Sequence, residues 1–363
     1  MKIAILGTRG IPNHYGGFEQ FADFFAVFLA EKGHDVYVYN SHNHPYQNPV
    51  YKGVKIIFKY DPEHKIGTAG QFIYDLNCIL DSRKRNFDII LQLGYTSNSV
   101  WHWLLPKKKS TIITNMDGLE WKRTKYSPLI QNLLKFAEKL AVKSSHYLIS
   151  DSIGIQNYLK SKYQVDSKYI AYGADNFNNP NPEILKKYQV EAHQFNMIMA
   201  RFEPENNFEM VLDGVVLSDN KSPILVIGNY NTKHGIYLKN KFKTYTNIRF
   251  LGAIYNLEDL NNLRYFSNIY FHGHTVGGTN PSLLEAMASK ALIAAHLNEF
   301  NQGILQENGI YFSNKFEVQK ILNETKKIDN LQLVENNFQA IEKKFNWQKI
   351  NEQYLQFFYQ SHK

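Results

Sequence analysis

Short apolar runs alternate along this chain with longer segments whose apolar positions recur at helical spacing. In the first half, β-rich runs at Lys2–Leu6, Asp35–Tyr39, Val54–Phe58, Ile89–Leu93, Thr111–Thr114 and Tyr147–Ser150 predict strands. Helical segments fall between them at Phe18–Lys32, Ala69–Arg83 and Leu129–Ser144. A capped helix is predicted from Asp151, followed by a short strand at Tyr169–Tyr172. Such alternation implies a parallel sheet covered by helices. The pattern breaks between Gly173 and Gln194, where Asn176-Phe-Asn-Asn-Pro-Asn-Pro182 is dense in turn formers and reads as a linker. A second series then predicts strands at Asn196–Ala200, Ile224–Ile227, Ile248–Leu251, Ile269–His272, Leu292–Ala295 and Gly309–Phe312. Its helices are expected at Asn207–Leu217, Gly235–Phe242, Leu257–Phe266 and from Pro281. The expected fold class is α/β, with two similar Rossmann-like domains facing across a cleft, over residues 1–175 and 190–345. Ligands of such sheets sit at the carboxyl ends of the strands.

The length of 363 residues agrees with two cores, and 44% hydrophobic residues are enough to fill them. One cysteine, Cys78, excludes an internal disulfide and fits a reducing compartment. The start, Met1-Lys-Ile-Ala-Ile-Leu-Gly7, runs directly into a glycine turn and lacks the features of a signal peptide; the expectation is a cytoplasmic protein. The formal charge of +8 and the pI near 9.1 favour anionic partners, such as nucleotide phosphates, a lipid diphosphate or an acidic leaflet. No zinc spacing, RNP-like motif or long arginine stripe supports a nucleic-acid partner.

The segment His272-Gly-His274-Thr-Val-Gly277-Gly278-Thr279-Asn280-Pro-Ser-Leu-Leu-Glu285 joins a strand, a glycine turn and a helix start. Glycines allow close backbone approach, and the free N–H groups of a helix start face an anion. Ser282-Leu-Leu-Glu285 has capping-box spacing, so Glu285 reads either as a cap or as a ligand for a nucleotide. The loop Gly7–Gly17 follows the first strand and opens a helix, a phosphate-facing position in which Gly16 and Gly17 would expose backbone N–H groups. It lacks both the G-x-G-x-x-G fingerprint and the Lys-Ser/Thr of a P-loop. The histidines at 42 and 44 and at 272 and 274 have no third ligand of matching context, so no metal is expected. Lysines 107–109 and Lys122-Arg-Thr-Lys125 flank the amphipathic segment from Leu129, which reads either as a surface helix or as a peripheral contact with an acidic leaflet.

Several motifs, in order, carry a resemblance: Gly7-Thr-Arg-Gly-Ile-Pro with Tyr15-Gly-Gly-Phe-Glu, Asn115-Met-Asp117-Gly-Leu-Glu120-Trp-Lys-Arg123, Met199-Ala-Arg201-Phe-Glu-Pro, and Gly277-Gly-Thr-Asn-Pro-Ser-Leu-Leu-Glu285. Together they resemble retaining GT-B glycosyltransferases (glycosyltransferase family 4), and more narrowly the rhamnosyltransferase-like branch of bacterial surface-polysaccharide synthesis. The resemblance implies transfer of L-rhamnose from dTDP-rhamnose to a polyprenyl-diphosphate-linked saccharide with retention, in capsule, exopolysaccharide or O-antigen synthesis. It implies a carboxyl-terminal helix, about residues 346–363, that crosses back to the first domain. Arg201 would neutralise charge on the leaving diphosphate, and Glu285 would bind the nucleoside sugar. Gly16, Gly17, His274, Gly277, Gly278, Thr279 and Asn280 would complete the donor site, while Asp117 and Glu120 would meet the acceptor, Asp117 and Arg201 being the catalytic pair. No cofactor is implied, the nucleotide-sugar being a substrate. Two positions depart from the wider family: Gly277 stands in place of a glutamate, and Asn206 in place of a lysine. They leave open a UDP- or GDP-sugar donor, a sugar-nucleotide epimerase, or a catalytically silent binding subunit.

Overall fold

The computed structural model describes residues 1–14, 16–116, 118–123 and 126–362. The chain divides into two compact units, each built on its own sheet. The first comprises Met1–Lys122, Tyr126–Tyr172 and the stretch from Trp347; the second comprises Gly173–Asn346, with which Arg123 groups.

The first sheet contains β1 (Lys2–Leu6), β2 (Asp35–Ser41), β3 (Val50–Tyr51), β4 (Val54–Lys59), β5 (Ile89–Leu93), β6 (Thr111–Asn115), β7 (Tyr147–Ser150) and β8 (Lys168–Tyr169). Its spatial order is β3-β4-β2-β1-β5-β6-β7-β8. Every pair is parallel except β3 with β4. Ile3, Ile5, Ile89, Leu91 and Ile113 are fully buried, as strands covered on both faces require. The helix Gly17–Glu31 buries Phe21, Phe25 and Leu29 at helical spacing. Onto it packs the carboxyl-terminal helix Trp347–Ser361: Tyr354 lies with its ring 4.7 Å from that of Phe21, and Trp347 stacks on Phe24 at 4.6 Å. Tyr354 Oη also accepts a hydrogen bond from Asn115 Nδ2 at 2.8 Å.

The second sheet contains β9 (Asn196–Met199), β10 (Ile224–Ile227), β11 (Ile248–Gly252), β12 (Tyr270–His272), β13 (Ile293–His296) and β14 (Ile310–Phe312). All its pairs are parallel, in the order β11-β10-β9-β12-β13-β14. Its core gathers Ile198, Val226, Phe271 and Ala294 with Phe208, Val211 and Leu212 of the helix Phe208–Leu217. The helix Lys315–Glu324 covers that helix with Val318, Ile321 and Leu322.

The structure departs from the sequence expectations in several elements. The strand expected at Tyr169–Tyr172 is the two-residue β8, because β7, its single ladder partner, ends at Ser150. The turn-rich stretch after Gly173 holds a short helix, Ile184–Tyr188. The helices Glu299–Leu305, Lys315–Glu324 and Leu331–Ala340 lie in a region where none was predicted. Among the described residues no helix is long and apolar enough to cross a membrane.

Candidate functional site

In an open parallel sheet the loops leaving the carboxyl ends of two adjacent strands part where the strand order reverses, and the crevice between them takes ligands. That point lies between β1 and β5 in the first unit and between β9 and β12 in the second. Most of the residues singled out from sequence stand at these two places.

In the second unit, β9 leads into Arg201 and β12 into the His272–Glu285 segment. The two loops are tied together. Thr275 donates from its N–H (3.1 Å) and from Oγ1 (2.9 Å) to the Glu205 carbonyl, and Asn207 Nδ2 donates to the Gly273 carbonyl at 2.8 Å. Arg201 is exposed, and its carbonyl accepts from Asn206 Nδ2 at 2.7 Å. Asn206 is thus buried and turned into its own loop, fixing the backbone that presents Arg201.

His272 and His274 stack at 4.3 Å with their ring planes 17° apart. Burial lowers both imidazoles below their ordinary value, and that of His274 falls to about 3, with the Arg201 guanidinium adding to the effect. Both are therefore neutral at pH 7, and both nitrogens of His272 are buried without a hydrogen-bond partner among the described residues. Among the described residues no three His, Cys, Asp or Glu side chains gather as a metal site. Gly277 has φ +146°, a conformation that disfavours a side chain, although a Cβ there would meet no atom within 4 Å. The turn continues through Gly278 and the buried Thr279.

The capping-box reading of Ser282 and Glu285 is corrected by the structure. Asn280 is the cap of the helix Pro281–Ala288, its Oδ1 accepting from Ser282 N at 3.0 Å and from Ser282 Oγ at 2.8 Å. Pro281 at the first helical position lacks an N–H and sets the helical φ, which starts the helix one residue before Ser282. Glu285 is left too far along the helix to reach the cap. Instead its Oε2 accepts from Arg264 Nη2 at 2.6 Å, with the Glu285 side chain 22% exposed and that of Arg264 fully buried. Arg264 was not singled out from sequence. Its signal was its place: it follows the buried Leu260 and Leu263 by four and one positions, on the inward face of the helix Leu257–Phe266.

In the first unit the loop after β1 is fixed from three sides. Gly10 has φ +122°, and a Cβ there would lie 2.3 Å from Asn40 Cγ. Asn40 uses that space to bond both the N–H (3.1 Å) and the carbonyl (2.8 Å) of Ile11. Arg9 N–H donates to Glu19 Oε1 at 2.8 Å, and the Arg9 guanidinium forks onto Glu63 at 2.7 and 2.8 Å, holding that carboxyl below its usual value. Gly16 is the cap residue of the helix Gly17–Glu31 and provides no side-chain bond. His14 meets the ring of His44 edge-on at 4.3 Å. Below the loop after β5, Asp75 is buried and accepts from Ser97 Oγ at 2.6 Å; desolvation pushes its carboxyl up to about 7. Glu63 and Asp75 are further polar groups that sequence reading missed, since strand order alone brings them to this edge.

Asp117 lies outside the described residues. Glu120 opens the short turn Glu120–Lys122 and is half-buried. Next to it, Trp121 Nε1 donates to Glu138 Oε2 at 3.0 Å. The buried Glu138 also accepts from Tyr158 (2.7 Å), Tyr163 (2.6 Å) and Lys162 (3.1 Å), so this turn is pinned to the helix Pro128–Ser144.

Residues 1–175 match the family described as a domain of unknown function (DUF1972). Among curated proteins none matches the chain. Sucrose-phosphate synthase from Thermosynechococcus elongatus superposes with a TM-score of 0.77 at 15% identity, over 99% of this chain and 98% of the other. HepE of Anabaena, in complex with UDP and glucose, gives 0.76 at 16% identity, over 98% and 99%. A glycosyltransferase from Rickettsia africae ESF-5 gives 0.71 at 14% identity, over 99% and 98%. At these identities the likeness is one of fold, and the fold of this chain is the mixed α/β, two-sheet architecture of the GT-B glycosyltransferases.

Proposed function

We propose that this chain is a glycosyltransferase that moves L-rhamnose from dTDP-rhamnose to a polyprenyl-diphosphate-linked saccharide, with retention at the anomeric carbon. The observation that supports it most is the tie between the loop that carries Arg201 and the segment leading to Glu285, at the β9/β12 switch point of a GT-B chain. Arg201, exposed and permanently charged, would take the donor diphosphate and neutralise the charge that grows as the glycosidic bond breaks. Glu285 would bind the nucleoside sugar, and the Gly277-Gly278 turn would let backbone approach the phosphates. Gly16 and Gly17 would lend N–H groups to the donor, and Asp117 and Glu120 would orient the acceptor hydroxyl. In this mechanism the protein positions both substrates, and a donor phosphate oxygen takes the acceptor proton. No metal or other cofactor enters it.

We place the reaction at the inner face of the cytoplasmic membrane, in surface-polysaccharide synthesis. What supports this is the helix Pro128–Ser144, which exposes Leu129, Ile130, Leu133 and Phe136 beside Lys135, Lys139 and Lys143. An apolar stripe edged by lysines suits an anionic leaflet, where a lipid-linked acceptor resides.

A UDP-sugar donor is the second reading, favoured by the fold shared with HepE, whose structures hold UDP-glucose, or UDP and glucose. Thermal unfolding with a panel of nucleotide sugars tests both, since a ligand at a hundred times its Kd stabilises by about 2.7 kcal/mol. Selective protection by dTDP-rhamnose supports the first reading; protection by a UDP-sugar replaces it with the second. Protection by none overturns both. Acceptor-dependent release of nucleoside diphosphate separates a transferase from an epimerase or a silent subunit.

A further inference from the structure

Arg264 is the largest fully buried side chain of the chain's described core, and its guanidinium is not spent on a surface ion pair. Nη2 donates to Glu285 Oε2 at 2.6 Å, Nη1 donates to Asn261 Oδ1 at 2.9 Å, and Met199 Sδ lies 4.0 Å from Nη2 at the end of β9. Ser289 Oγ reaches the same Asn261 oxygen at 3.2 Å and the Glu285 carbonyl at 2.8 Å. The fork is therefore fixed at two points, one on its own helix and one on the helix Pro281–Ala288. A guanidinium is always charged, and burying it demands a counter-charge. Glu285 supplies one while remaining partly exposed, and the guanidinium engages Oε2, so Oε1 keeps its capacity to accept.

We propose that Arg264 is a positioning residue: by clamping Oε2 of Glu285 it sets Oε1 to accept from the sugar hydroxyls of a bound nucleoside diphosphate. This rests on the nucleotide-sugar reading above. Arginine suits the task where lysine does not, because one planar group must satisfy an amide carbonyl and a carboxylate in fixed directions. The ligand class is a nucleoside diphosphate with at least one free hydroxyl on its ribose or deoxyribose.

The test is calorimetric titration of wild type, Arg264→Gln, Arg264→Lys, Glu285→Gln and the Arg264→Gln/Glu285→Gln pair with UDP, dTDP and 2′,3′-dideoxythymidine diphosphate. Arg264→Gln should weaken UDP and dTDP about tenfold, as Glu285→Gln does, and the pair should be no worse than either alone. The dideoxy ligand should bind all the variants equally, which a general loss of structure would not allow. Should Arg264→Gln fail to fold, Arg264→Lys keeps the buried charge and is expected to show the same hydroxyl-dependent loss. Equal weakening of all three ligands, or none in a folded variant, overturns the role of Arg264 while leaving the nucleotide reading in place. A wild type that binds no nucleoside diphosphate overturns that reading, and this role with it.

Discussion

Lys327 offers a quantitative test of the second unit's packing. Its backbone N–H donates to Asn268 Oδ1 at 2.9 Å, its Nζ donates to the Tyr265 carbonyl, and the ammonium sits 5.2 Å above the Tyr265 ring. No carboxylate is among these partners. The titratable groups facing it are Lys290 and His193, and burial first and Lys290 second push the Lys327 amine down to about 7. Against an ordinary value near 10.4, and at about 1.4 kcal/mol for each factor of ten in the protonation equilibrium, that destabilises the charged form by about 5 kcal/mol. Replacing Lys327 by Met removes this cost and also a hydrogen bond of about 1 kcal/mol, so a gain of about 4 kcal/mol is expected at pH 6. The sign with pH follows from proton counts. Between pH 7 and about 10.4 the unfolded chain holds a proton that the native one lacks, so wild-type stability rises with pH. The advantage of Lys327→Met is therefore full below pH 7 and gone by about pH 10. Urea unfolding at pH 6, 8 and 10, followed by fluorescence and circular dichroism together to separate transitions of the two units, measures it. A variant less stable than wild type at pH 6, or a gain that does not shrink with pH, would refute the reasoning.

Arg201→Ala should lower kcat by about 10²- to 10³-fold with little effect on unfolding, since the side chain is exposed; steady-state kinetics with the preferred donor checks it. Glu138→Ala strands four donors in the first unit and should cost about 3 kcal/mol in urea unfolding, whereas a loss below about 1 kcal/mol would contradict the pinned turn. Gly277→Ala meets open space but a disfavoured φ; the expected strain of about 1–2 kcal/mol should appear as a donor KM raised about tenfold, and an unchanged KM would place the turn away from the donor.

The parallel α/β character was legible because a strand buried on both faces is a near-continuous apolar run, and runs such as Ile89-Ile-Leu-Gln-Leu93 and Ile224-Leu-Val-Ile227 have few other uses. The GT-B architecture was legible from the motifs. The helices Glu299–Leu305 and Lys315–Glu324 were not, although Asn298 and Asn314 cap them by bonding the N–H groups two and three residues on. Those asparagines read as loop formers when apolar periodicity is the guide. At the candidate site, Glu285 stood out as a carboxylate at a helix start after a glycine turn, and Arg201 through the resemblance that its motif carries. Arg264 and Glu63 did not, because their meaning depends on partners 21 and 54 residues away, which only the fold specifies. The spacing of Ser282 and Glu285 suggested a cap, and a proline one residue upstream moved the helix start.

The first unit is discontinuous along the chain: its last piece, Trp347–Ser361, follows the whole of the second unit. On a ribosome, the second unit thus has its full sequence available before the first one does. Until the final helix emerges, Phe21, Phe24 and Phe25 lack Trp347 and Tyr354, the rings that cover them in the finished fold. A nascent chain stalled near Asn346 would present that aromatic surface, so a chain terminated before Trp347 should be a sticky, aggregation-prone product rather than a slightly shortened version of the same fold.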